Sequence, residues 1–165
     1  MEIRTVTEAD APELCEYASS LFGENLPGIF KRPSPTLEQE LDYIRTHLES
    51  ANSTLLVAVH DDTVVGLAGL MGESNEEERH VASLAISVAR GFRGRGVGTA
   101  LIDALMSWAP SAGITRVQLW AWANNPRAIS LYESVGFERE GIARHAIISD
   151  GHPVDAVLMA RLLAV

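Results

Sequence analysis

The residues best suited to chemistry stand together in Arg90–Trp108, RGFRGRGVGTALIDALMSW. Gly91, Gly94, Gly96 and Gly98 are interleaved there with Arg90, Arg93 and Arg95. An apolar stripe begins inside this loop. Val97, Ala100, Leu101, Ala104, Leu105 and Trp108 recur at the spacing of one helix face. The preceding run Val81–Val88, VASLAISV, reads as a largely buried strand. A strand, a glycine-rich basic loop and a helix in that order suit an anion. The helix start leaves backbone N–H groups unpaired at the positive end of the dipole, and glycines let the backbone approach a ligand. Two phosphate-binding patterns fail. Walker A wants Lys and then Ser/Thr where Val97 and Gly98 stand. The dinucleotide pattern wants Gly or Ala where Thr99 stands, and an acidic residue ending the next strand, Arg116–Trp122, which has none.

Arg93, Gly96 and Gly98 satisfy a third pattern, R/Q-x-x-G-x-G/A. A second motif, N-x-x-A-I-x-L-Y-x-x-x-G-F, is complete at Asn125, Ala128, Ile129, Leu131, Tyr132, Gly136 and Phe137. On these motifs, in this order, the chain resembles the GNAT superfamily of acetyl-CoA-dependent N-acetyltransferases. Asp150-Gly151, Asp155 and Met159 are similar to the closing segment of its small-molecule and protein-N-terminus members. The specific match runs from Val81 to Leu162, about half the chain; the earlier half matches only in the order of elements.

The resemblance implies roles for individual residues. Backbone near Ile86 and Val88 would pair with the pantetheine arm, in a slot opened by a bulge, with the Val88 N–H facing the thioester oxygen. Arg93, Gly94, Arg95, Gly96, Val97, Gly98 and Thr99 would hold the pyrophosphate, mainly through backbone N–H, with the two arginines adding charge. Asn125 would touch the pantetheine; its other reading is an N-cap for its own helix. Tyr132 would protonate the departing thiolate; its other reading is core packing. Relatives often carry a glutamate on the central strand, but Ser83 stands near that position. Glu73 and His80 are the substitutes for a general base, beside a water relay.

The elements that must position these residues follow from periodicity and turn chemistry. Thr7 and Asp10 open a first helix with the stripe Leu14, Ala18, Leu21 and Phe22. Asn25–Pro35 is a Pro- and Gly-punctuated loop, and Thr36 caps a second helix, Leu37–Ser50. The resemblance implies that these helices and their loop form the acceptor wall. Thr54–His60 and Thr63–Leu70 read as a hairpin turned at Asp61-Asp62. Trp120 and Trp122 share a face of Arg116–Trp122, as core or as a cleft wall. A helix follows over Ala128–Val135, then strands from Phe137 and over Val154–Leu162, with His145 and His152 in surface loops. The expectation is a single α/β domain over residues 1–165: a mixed, mostly antiparallel sheet of about seven strands with helices on both faces.

Composition narrows the function. The net charge of −9 disfavours nucleic acid and acidic membranes, and suits a cationic acceptor such as an amine or simply keeps the protein in solution. No apolar run is long enough to span a bilayer, and the polar opening MEIRTVTEAD is unlike a secretory leader. With Cys15 as the one cysteine, the expected compartment is the cytoplasm. No His/Cys/Asp set has metal-ligand spacing. The resulting expectation is an N-acetyltransferase that moves the acetyl group of acetyl-CoA to a primary amine, on a small molecule or a peptide, in a ternary complex. The alternative is a non-catalytic acyl-CoA-binding module on the same fold. The oligomeric state is left open, a homodimer included.

Overall fold

The computed structural model describes residues 1–164. Seven strands form one sheet: β1 (Glu2–Thr5), β2 (Thr54–His60), β3 (Thr63–Gly72), β4 (Val81–Val88), β5 (Arg116–Trp122), β6 (Glu138–Ser149) and β7 (His152–Leu162). Their spatial order is β1-β2-β3-β4-β5-β7-β6. Every neighbouring pair is antiparallel except β4 and β5. Four α-helices complete the fold: α1 (Ala11–Gly23), α2 (Leu37–Leu48), α3 (Val97–Trp108) and α4 (Pro126–Ser134). No helix among the described residues is long and apolar enough to cross a membrane.

Turn chemistry sets the hairpins. Asp61 and Asp62 take φ of 48° and 57°, and Asp150 and Gly151 take 49° and 79°. Left-handed values at both central residues are the turn whose twist matches two antiparallel strands. Alternation then sorts the side chains. Leu55 and Val57 of β2 pack under α1 and α2 with Leu14, Leu21 and Ile44. Leu56 and Ala58 turn to the opposite face and pack under α3 with Leu101 and Leu105. A sheet covered on both faces has no polar alternation, which is why TLLVAV reads as a continuous apolar run.

Two details depart from expectation. The strand expected from Phe137 begins at Glu138 and runs to Ser149 with two register irregularities, so His145 and His152, expected in loops, stand in β6 and β7. The central strand carries no bulge: β3 and β4 stay in register from Gly66↔Val88 to Gly72↔Ala82. The sheet nevertheless opens beside β4. β4 and β5 pair only at Val81↔Arg116, Ala82↔Val117 and Ser83↔Gln118. β5 then follows β7 along all of Arg116–Trp122, while β4 follows β3. Each strand keeps its antiparallel partner, and a wedge opens between them.

Candidate active site

Beyond Ser83 the β5-facing edge of β4 has no strand partner among the described residues. The Ala89 N–H bonds Val65 O at 2.9 Å. Alternation along the antiparallel pair therefore turns the backbone groups of Ile86 and Val88 into the wedge. A cavity of about 500 Å³ fills it. Its walls include Ile86, Val88, Trp120, Trp122, Ala128 and Tyr132, and the loop Pro27–Ile29 closes one side.

At one end of this cavity lies the start of α3. Gly94 and Gly96 have φ of 72° and 81°, conformations that favour glycine, and Gly96 is the N-cap. The first closing bond runs from the Ala100 N–H to Gly96 O at 3.0 Å. The N–H groups of Val97, Gly98 and Thr99 therefore have no protein acceptor among the described residues. A Cβ on Gly98 would stand 3.2 Å from Leu131 Cδ2, so helix α4 packs tightly here. The arrangement is three convergent donors at a positive helix terminus, as an anion requires.

The arginines divide differently from expectation. Arg93 is turned inward: its guanidinium donates to both Glu24 oxygens at 2.6 and 3.0 Å, and its Nε donates to Val88 O at 2.8 Å. It ties the end of α1 to the wedge, with its charge already countered by Glu24. Arg95 lies 5.6 Å from the Phe92 ring centroid and lines neither cavity. Val97 is buried in the core, leaving only its backbone for a ligand. Arg127, unnoticed in the sequence, lines the cavity, with one guanidinium nitrogen 3.0 Å from where a Gly94 Cβ would stand. It occupies a variable position of the second motif, so nothing in that motif flagged it.

Asn125 is engaged at both ends. Its Oδ1 accepts from the Ala128 N–H at 3.3 Å, the capping bond, and its Nδ2 donates to Pro27 O at 3.0 Å. It thus starts α4 and tethers the Pro27–Ile29 loop, while lining the cavity. Tyr132 lies two turns further along α4, its ring 5.9 Å from Phe137. Its hydroxyl has no hydrogen bond among the described residues, and burial pushes its pKa up to about 12. The phenol therefore keeps its proton at neutral pH. Glu73 and His80 sit at the opposite end of β4 from Ile86 and Val88, and line neither cavity. The structure does not bring them to the wedge.

A second cavity, about 560 Å³, lies between the sheet, α1, α2 and the loop joining them. Its lining includes Tyr17, Glu40, Tyr43, Ala85, Ile86 and Ser87. The Tyr17 hydroxyl and Ser87 Oγ are 3.0 Å apart, and burial pushes the Tyr17 pKa up to about 12. The two cavities share Leu21, Gly28, Ile29, Ile86 and Ser87. One wall of the wedge is thus also a wall of a separate pocket.

Residues 16–137 match the model of the acetyltransferase (GNAT) family. The chain belongs to the GNAT family. An N-alpha-acetyltransferase, RimI of Mycobacterium tuberculosis, is 31% identical over 161 residues, covering 96% of this chain and 90% of that protein. An uncharacterised protein of Mycobacterium leprae, ML0378, is 33% identical over 161 residues, 96% of this chain but 40% of its own length. The chain thus spans less than half of that relative. The yncA structure of Salmonella typhimurium, solved with its cofactor acetyl-CoA, superposes with a TM-score of 0.90 at 20% identity, covering 100% of this chain and 95% of that one. The strand wedge and the start of α3 line one cavity.

Proposed function

We propose that the chain is an N-acetyltransferase that moves the acetyl group of acetyl-CoA to a primary amine by direct attack in a ternary complex. The observation that carries this reading is the shared wall. The wedge cavity and the second cavity meet at Ile86 and Ser87, so two ligands entering from opposite sides converge on one stretch of β4.

The residues of the wedge suit each part of the reaction. The pyrophosphate takes the N–H groups of Val97, Gly98 and Thr99, with Arg127 adding charge at the rim. The pantetheine amides pair with the free edge of Ile86 and Val88. The neutral amine attacks the thioester carbonyl. Its oxygen gains negative charge facing the Val88 N–H, whose own carbonyl is occupied by Arg93. The C–N bond forms and the C–S bond breaks, and Tyr132 gives its proton to the sulfur. The proton lost by the amine leaves through water, since neither Glu73 nor His80 lines either cavity. Tyr132 recovers its proton from solvent. The cytoplasm, with its supply of acetyl-CoA, is the compartment this reading fits.

Thiol release from acetyl-CoA with pooled primary amines tests the proposal. Amine-dependent release, with an initial-rate pattern of intersecting rather than parallel lines, is the expected result. Tight acetyl-CoA binding without turnover on any amine would instead make the chain a binding module.

A further inference from the structure

The second cavity contains a charge that its surroundings do not neutralise. Glu40 of α2 lines it with 6% of its surface exposed. Among the described residues it has no hydrogen bond and no ion pair, although seven other pairs form elsewhere on the chain. Burial without a countercharge pushes its carboxyl above the usual carboxylate range. The other charged residue lining the cavity, Arg32, is exposed and lies 5.6 Å from the Phe30 ring.

Ser87 enters the cavity from β4 and Glu40 from α2. Its charge is felt by Cys15 and by Tyr43, one turn further along α2. Tyr17, whose hydroxyl reaches Ser87 on β4, has Arg93 and Glu24 as its charged neighbours. The same cavity is lined by apolar Leu21, Phe22, Ile29 and Leu67. An unpartnered carboxylate, apolar lining and a reaction point at β4 suit an aliphatic ligand that carries a cation besides the reacting amine. A buried carboxylate is costly alone and favourable with a cation in hydrogen-bond contact.

Resting on the transferase reading above, we propose that Glu40 recognises a second positive charge on the acceptor, so that the substrate class is a diamine or a similarly doubly cationic amine. One amine reaches Ile86 and Ser87 for acetylation. The other cation pairs with Glu40, and aliphatic carbons between them cover the apolar wall.

The test uses α,ω-diaminoalkanes of increasing length and the matching 1-aminoalkanes, bound to the CoA-loaded protein and followed by calorimetry. The wild type should prefer one length of diamine over its monoamine by roughly 10–100-fold, the usual worth of a charge-assisted contact. Glu40→Gln should abolish that preference in a folded protein whose melting temperature is no lower than the wild type's, since a costly lone charge is removed. Glu40→Asp should retain part of it. No diamine preference in the wild type would overturn the inference. So would an equal loss on both amines in Glu40→Gln, which would make Glu40 structural, or a preference that survives the substitution. Thiol release with the same amines is read separately. Turnover without a Glu40 effect sinks only this inference; a Glu40-dependent preference without turnover sinks only the transferase reading.

Discussion

The two cavities of this protein are built from different materials. The wedge between β4 and β5 is mostly backbone: a free strand edge, three N–H groups at a helix start, and glycines that keep side chains away. The second cavity is mostly side chain, with Tyr17, Glu40 and Tyr43 from two helices. Backbone groups are the same whatever the residue, so a backbone site can recognise only a fixed partner. Side chains can vary one at a time on an unchanged scaffold. The first cavity accordingly suits the cofactor of a whole family, and the second an acceptor particular to this chain.

The strongest way to break the contrast is through Tyr132, the side chain on which the wedge should depend for chemistry. Tyr132→Phe removes one hydroxyl that bonds no described residue, so the fold should survive. We expect kcat to fall by roughly 10²–10⁴-fold, the range of a positioned acid. Acetyl-CoA affinity should barely change, because the proton moves only as sulfur departs. Steady-state kinetics beside calorimetry decides the matter, and a folded variant with wild-type kcat reduces Tyr132 to packing.

Gly96→Val tests the backbone side of the comparison. At φ 81° any β-branched residue is strained, so the backbone that presents the N–H groups of α3 must shift, although a Cβ there meets open space. We expect CoA affinity to fall by about tenfold or more, together with about 1–2 kcal/mol of lost stability. Gly91→Ala, at ordinary φ and in open space, is the control and should change neither. An unaltered CoA affinity in Gly96→Val would remove the loop from the phosphate site.

A smaller effect separates two arginines that look alike in the sequence. Arg127→Ala should weaken CoA by roughly fivefold, as an exposed charge would, and leave pantetheine binding unchanged. Arg93→Ala should instead lower stability by about 2 kcal/mol, by stranding Glu24 and the Val88 carbonyl. Equal losses on CoA and pantetheine in Arg127→Ala would refute its assignment to the phosphates.

The smallest effect lies in the pH dependence of the α1 wall of the second cavity. Arg4 hydrogen-bonds Asp10 just before α1 and lowers its pKa from 3.8 to about 2. Because the folded value lies below the ordinary one, this contribution is whole above about pH 3.8 and is lost as the pH falls toward 2. Hydrogen exchange should show α1 loosening over that window. Asp10→Asn should weaken α1 at neutral pH and flatten its response to acid; an unchanged acid response would detach the pair from the stability of that wall.

Legibility in the sequence follows the same division. The glycine loop, the α4 motif and the Asp-rich hairpin were readable because each is a local device, complete within one element or one turn. Thr36 illustrates this: its capping box with Gln39 spans three residues and forms as its spacing implies. Asn125 was readable as a cap for the same reason, but its bond to Pro27 crosses from α4 to the loop after α1 and left no mark in the motif.

What the sequence determined by itself was therefore the order of elements and the groups that act through their own backbone neighbourhood. Periodicity and turn residues encode contacts a few positions apart, and those are fixed by local geometry. The tertiary structure alone decided which way the long side chains turned. Arg93 meets Glu24 across 69 residues and Tyr17 meets Ser87 across 70. Glu73 and His80 were carried to the far end of β4, and Glu40 was buried in the wall of the second cavity. Those outcomes depend on strand register and on how two helices settle on the sheet. Residues distant in the chain become neighbours only when that packing is complete.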